Sequence, residues 1–237
     1  VGSDAGLPVI ARFGHKARDM LGSQRGSRLG RLLRDRRAVS AVEFALIAPV
    51  MTTMGLGAIE LANMAMVYTR VSQVAIQLAD NASRAKQATG PSGGMMREYD
   101  VNDAFAQVNV LYPGLKIYTN GRVILSSLEQ NSNGGQWLHW QRCMGAYTTG
   151  VSKYGTQGTG ITGTAFAGMG PSGNVVAADT RAAIMFVEVY YQYQPIFFKV
   201  GGNTSPTIYR ASAMYVRDDR DLTQIYNPSP VQTVNSC

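Results

Sequence analysis

Between Val39 and Thr69 the chain carries only two charges, Glu43 and Glu60, and the next ionised residue is Arg70. Built as a helix, that stretch is about 46 Å long at 1.5 Å per residue, more than the roughly 30 Å of hydrocarbon that a single crossing requires. The surplus has to project into water, and the sequence changes character accordingly. Val71, Val74, Ala75, Leu78, Ala79 and Ala82 recur at the i, i+3, i+4, i+7 spacing of one helical stripe, while Gln73, Gln77, Asp80 and Arg84 fall on other faces. The pattern predicts one long helix over residues 39–88, transmembrane in its N-terminal half and amphipathic beyond. Pro49 removes a backbone hydrogen bond and is expected to kink the lipid-embedded part. The stretch TGPSGG at 89–94 is expected to stop the helix, since Gly90 and Pro91 break it.

Upstream, residues 1–38 hold nine of the chain's 22 basic residues and three of its 15 acids, a balance of +6 out of a total of +7. The basic character therefore belongs to an N-terminal arm, rich in Gly, Ser and Arg and without apolar periodicity, which reads as largely disordered on its own. Such an arm could neutralise phosphates on nucleic acid, or hold its end of the chain on the cytoplasmic side of a membrane by the positive-inside rule. The apolar segment that follows at once favours the membrane, and no nucleic-acid partner is expected. The leader could begin at Val1 or at Met20, and either start keeps Arg25 to Arg37. An ordinary secretory signal ends its apolar core at a small-residue cleavage site; here the small residue, Ala38, precedes the run, so the apolar segment is expected to stay in the mature protein.

The body over residues 95–237 reads as strands with a helix at its entrance. VNDAFAQVNVL at 101–111 puts Val101, Ala104, Phe105, Val108 and Leu111 on one helical face, with Asp100 or Asn102 as cap. Asn120-Gly121 lies between β-rich runs and signals a hairpin. QWLHWQRC, RAAIMFVEVYYQYQ and TIYRASAMYVRD follow as strands, the second placing Val187, Val189, Tyr191 and Tyr193 on one side and Glu188, Gln192 and Gln194 on the other. Four or five mostly antiparallel strands against a long helix make an α+β architecture. Residues 144–179 form a Gly/Thr/Ser-rich loop, expected to be either a mobile surface loop or a partner-binding one.

A basic leader, a small residue, four mostly small or apolar residues and then Glu with an aromatic, as in Ala38 to Phe44, resembles the processing site of type IV prepilins. The continuation EFALIAPV with Glu60, then WQRCMG at 140–145, EVYYQYQP at 188–195 and VRDDRDLTQIYN at 216–227, is similar to the TadE-like pseudopilins of the tight-adherence (Flp, type IVb) pilus system. The resemblance implies a pilin-like fold and a role in pilus assembly as a pseudopilin or minor pilin. It implies that a membrane prepilin peptidase cuts between Ala38 and Val39, where type IV prepilins more usually carry Gly before the cut. It further implies partners among other pilins, pseudopilins and the assembly platform, in the inner membrane and in an extracellular pilus. Glu43 would then be the fifth residue of the mature chain, next to Phe44. Its carboxylate, which costs about 2.5–3.5 kcal/mol to bury in lipid on insertion scales, would pair with the new α-ammonium of a neighbouring subunit, although it could instead snorkel to the headgroups.

Cys143 and Cys237 lie on the side of the helix that the arginines assign to the exterior, and a disulfide is the simplest use of two thiols in an oxidising periplasm. Closing a loop of about a hundred residues stabilises by up to ~4.7 kcal/mol in the chain-entropy model. Two cysteines with His15 and His139 do not make a metal site, and no cofactor is expected. GMGPSG at 168–173 imitates a dinucleotide fingerprint but has neither the preceding strand nor the following helix. RDDRD at 217–221 reads as a solvated charge run, His139 as a packed or surface residue between two tryptophans, and the tyrosines at 190, 191 and 193 as core or interface. No catalytic constellation is present, so the leading expectation is a non-catalytic assembly component. A membrane-anchored periplasmic binding module that keeps its leader is the other.

Overall fold

The computed structural model describes residues 2, 36–85, 87–90, 93–197, 205–217 and 219–237. Of the expected leader, residues 1 and 3–35 lie outside the described residues, as does Pro91 of the helix-stopping stretch. The chain divides into two compact units, residues 1–58 and 59–237.

Helix α1 runs from Arg36 to Arg84, with Pro49 inside it. In the first unit its large apolar side chains, from Val39 and Val42 through Phe44, Ile47 and Val50 to Met54, are exposed. The helix is long and apolar enough to cross a membrane. Its C-terminus falls at Arg84 and not at residue 88, because residues 87–90 (β1, Gln87–Gly90) leave the helix and pair antiparallel with β2, Gly93–Met95. Arg220 helps to end it: its guanidinium donates to the carbonyls of Ala82 (3.0 Å) and Ser83 (3.3 Å), groups that a helix end leaves without an intrahelical partner. Within the RDDRD stretch Arg217 and Asp219 are exposed, as a solvated charge run would be, whereas Arg220 is half-buried on the helix end.

In the second unit, α2 spans Glu98–Leu111 and starts earlier than expected, with Arg97 as its N-cap. Asp100 acts from inside the helix, accepting from the Arg97 N–H at 2.9 Å and from the Arg97 guanidinium. Asn102 is not a cap either; its amide donates to the carbonyl of Thr233 and its carbonyl accepts from Asn235. Val101, Ala104, Phe105 and Val108 are buried as the spacing predicts, but Leu111, the last helical residue, is exposed. A 3-10 turn at Pro113–Leu115 and a short helix α3, Ile117–Asn120, lead into strand β3, Gly121–Gln130. Asn120-Gly121 is therefore a helix-to-strand junction and no hairpin. Gly121 is needed for closeness: a Cβ there would stand 2.3 Å from the Tyr190 carbonyl oxygen of the paired strand. The hairpin turn falls at 131–135 instead, where Asn131 Oδ1 accepts from the N–H groups of Asn133 and Gly135, and Gly134 takes φ +79°.

Strands β4 (Gln136–Met144), β5 (Ile184–Gln192) and β6 (Thr207–Tyr215) complete an antiparallel sheet in the order β4-β3-β5-β6. The register of β3 on β4 slips at His139, where Ser127 faces Trp140 but Leu128 faces Leu138. One face of the sheet packs on the helices: Val67, Val71, Val74, Leu78 and Ala82 of α1 and Phe105 of α2 meet Val123, Leu125, Met185, Val187, Val189 and Tyr191. This is the α+β architecture expected from the sequence.

The second face is covered by the Gly-rich loop. Met169 and Ala178 are buried with Leu128, Leu138, Ile184 and Phe186, and Tyr154 and Phe166 pack alongside. With so few apolar side chains the loop is held mainly by polar ones from the sheet. Asn131 donates to the carbonyls of Gly160 and Gly163 at 2.8 Å each. Gln136 both donates to and accepts from Ala178. Glu188 accepts from the Ser152 hydroxyl at 2.5 Å, the Lys153 N–H at 3.0 Å and the Tyr209 hydroxyl at 2.9 Å. The loop is thus a layer of the fold, which explains why β5 is buried from Ile184 to Tyr191 and Glu188 does not face water. Within it, GMGPSG is a turn: Met169 and Val176 bridge antiparallel, and no helix follows.

Candidate functional site

Ala38 and Val39 stand in the first turn of α1, and Glu43 lies one turn after Val39 on the same face, since residues four apart are stacked. Glu43 and Phe44 are both exposed, Phe44 by 73%, and Glu43 makes no hydrogen bond or ion pair with the described residues. An isolated carboxylate on a rod of exposed Val, Leu, Ile and Met is open to any cation that shares its environment, and in a medium of low dielectric such a pairing is strong.

Glu60, the second acid of the apolar run, has the opposite surroundings. It is fully buried, inside the second unit. Its Oε1 accepts from the Tyr193 hydroxyl at 2.5 Å, and its Oε2 accepts from the N–H groups of Ile196 and Phe197 at 3.0 Å each. Asn63, one turn on, donates to the same Tyr193 hydroxyl at 2.7 Å. Two acids seventeen residues apart on one helix therefore have different work: Glu43 is available to something outside the chain, and Glu60 fixes the chain that follows β5. In the sequence Glu60 figured as an interruption of the apolar run and as part of the resemblance. The signal for its burial was present, because Glu60, Met64, Val67, Val71, Val74 and Leu78 form one continuous stripe at helical spacing.

Another buried acid, paired with a buried base, was not foreseen. Glu98, at the start of α2, pairs with Arg142 of β4 through a forked contact in which Arg142 Nε lies 3.1 Å from both carboxylate oxygens and Nη2 meets Oε1. Arg142 also donates to the carbonyl of Gln141 and the side chain of Gln157. Next to it Cys143 and Cys237 form a disulfide with Cα atoms 4.9 Å apart. The tail it secures runs beside β4, with Cys143 N–H donating to the Asn235 carbonyl.

His139 is stacked on Trp137 at 4.3 Å between ring centroids, and its Nδ1 is 2.8 Å from Glu129 Oε2. The Ser127 hydroxyl donates to the other oxygen of Glu129, so the carboxylate stands between hydroxyl and imidazole, and the histidine cannot take the serine's proton directly. Tyr190, Tyr191 and Tyr193 are buried. Burial, together with the nearby Glu188 carboxylate, pushes the Tyr190 hydroxyl up to about 12. Among the described residues no group of three or more His, Cys, Asp or Glu is placed to hold a metal ion.

The segment that carries Ala38, Val39, Glu43, Phe44 and Glu60 is the one that decides the comparison. Residues 38–80 match the model of the TadE-like protein family. The TadE-like segment thus begins at the residue before the expected cut and ends within the helical stripe that packs on the sheet. The sheet, the disulfide and the loop lie beyond it. No curated protein and no solved structure matches the chain significantly.

Proposed function

We propose that the chain is a non-catalytic pseudopilin or minor pilin that takes part in assembling a type IVb (Flp/Tad) pilus. In this reading residues 1–38 are a cytoplasmic leader, α1 is a single-pass anchor in the inner membrane, and residues 95–237 form a periplasmic domain. A prepilin peptidase removes the leader between Ala38 and Val39, and the released ammonium of one subunit pairs with Glu43 of the next. The observation that supports it most is the state of Glu43: an exposed carboxylate with no partner among the described residues, on an exposed apolar helix and within the TadE-like segment. A carboxylate is costly to hold in lipid, and pairing with a cation at the same depth offsets that cost.

The test separates insertion from assembly. Glu43→Gln removes a charge from the lipid-facing run, so membrane levels should equal those of the wild type. Co-purification with the pilus machinery and pilus formation should fall, because the neighbour's ammonium is left without a counter-charge. Wild-type assembly by Glu43→Gln at normal membrane levels would reject the pairing. N-terminal sequencing of the membrane-extracted protein should begin at Val39; a chain that still carries its leader would favour an anchored binding module.

A further inference from the structure

Ile196 and Phe197 follow β5 and are 59% and 49% exposed, yet their backbone is tied to the interior of the unit. Both N–H groups donate to Glu60, and that carboxylate is inaccessible to water. A carboxylate accepting two main-chain N–H groups and a tyrosine hydroxyl fixes a turn rigidly. Here it fixes a turn whose outer surface is apolar.

The place where the turn is tied gives the reason. Glu60 is two residues beyond Ala58, and the twenty residues from Val39 to Ala58 make about 30 Å of helix, the thickness of a bilayer's hydrocarbon core. On the helix beside Glu60, Ile59, Leu61 and Met66 are exposed as well, and no charged residue intervenes before Arg70. Exposed apolar side chains from the helix and from the turn thus occur together, at the end of the unit where the chain comes from the apolar run.

We propose that the Ile196–Phe197 turn is a lipid contact: a ledge, held out by Glu60, that beds into the bilayer surface. It rests on the reading of α1 as a membrane anchor. The occupant is lipid and not a second subunit, because any bilayer that takes in α1 as far as Ala58 already lies within one helical turn of the residue that holds the ledge.

The experiment uses the full chain in vesicles of phosphatidylethanolamine and phosphatidylglycerol, with an environment-sensitive fluorophore on a single introduced cysteine and the native disulfide intact. Label on Ile196→Cys should show blue-shifted emission and quenching by lipids brominated near the glycerol. Label on Ile161→Cys, in the loop that pairs with the opposite end of the sheet, should show neither. Label on Met51→Cys should be quenched by lipids brominated deep in the acyl chains, which reports the anchor separately. Quenched Met51→Cys with water-like, unquenched Ile196→Cys overturns the ledge and leaves the anchor standing; unquenched Met51→Cys overturns both. Protection of Ile196→Cys that rises with the protein-to-lipid ratio and ignores the brominated lipids would mean that another subunit covers the turn, and would also reject the proposal. Glu60→Gln should weaken quenching at residue 196 while leaving Met51→Cys unchanged.

Discussion

Glu98 and Arg142 are both nearly inaccessible to water, so each holds a charge that only the other neutralises well. Glu98→Ala is expected to destabilise the protein by about 3–5 kcal/mol, since it leaves a buried guanidinium without its carboxylate. Replacing both residues by methionine should recover most of that loss, because no buried charge then remains. Chemical denaturation of the detergent-solubilised protein, followed by circular dichroism, reads both. Asp221 supplies a pH test of the segment that ends α1. Hydrogen bonds from Thr223 and from the Tyr226 hydroxyl hold its carboxyl below the usual value. A lowered folded-state value means stability that is present above the ordinary carboxylate value and lost as pH falls through the folded one. Thermal melts of wild type and Asp221→Asn should therefore differ by a constant amount from neutrality to about pH 4 and converge below it.

At the scale of elements, the loop over 144–179 makes the sharpest claim, because its chemistry looks like that of an unstructured linker. Met169 is fully buried against Leu128, Leu138, Ile184 and Phe186. Met169→Ala should cost about 2–5 kcal/mol, as expected for a core position, and should bring early protease cleavage within the loop. A loop lying idle on the surface would show neither effect. Composition concealed this layer because most of its support comes from the other side: Asn131 of the hairpin turn, with Gln136 and Glu188 of the sheet, reaches across to the loop backbone, and all three read as ordinary polar residues. The stripe from Val71 to Ala82 and the face from Val101 to Val108 were legible, since each repeats at the helical period against a single apolar partner. Asn120-Gly121 misled because local turn chemistry is shared by several junctions, and the register of the sheet decided which one turned. The same limit applied at the acids. Glu43 and Glu60 look alike in an apolar run, but Glu43 lies in the exposed first unit while Glu60 lies in the second, at the start of the stripe that packs on the sheet.

For the molecule as a whole, the proposed cut sets a mass. Removing 38 of the 237 residues of a 25.6 kDa chain lowers it by about 4 kDa, so Ala38→Phe should leave a band heavier by that amount on a gel if a peptidase needs a small residue there. Unchanged mobility would reject processing at this bond. The sheet has one more consequence, which concerns time. The apolar stripe of α1 shares its core with residues of β5 and with Ile208 and Val216, which are made long after it. At 5–20 residues per second the roughly one hundred residues between Ala82 and Ile184 take about 5–20 s to synthesise. Throughout that interval the stripe has no partner from the late strands, and every molecule passes through a stage in which part of its core is waiting. The chain is thus most vulnerable to wrong associations before its last strands exist, and its safety at that stage depends on whatever else meets the stripe first.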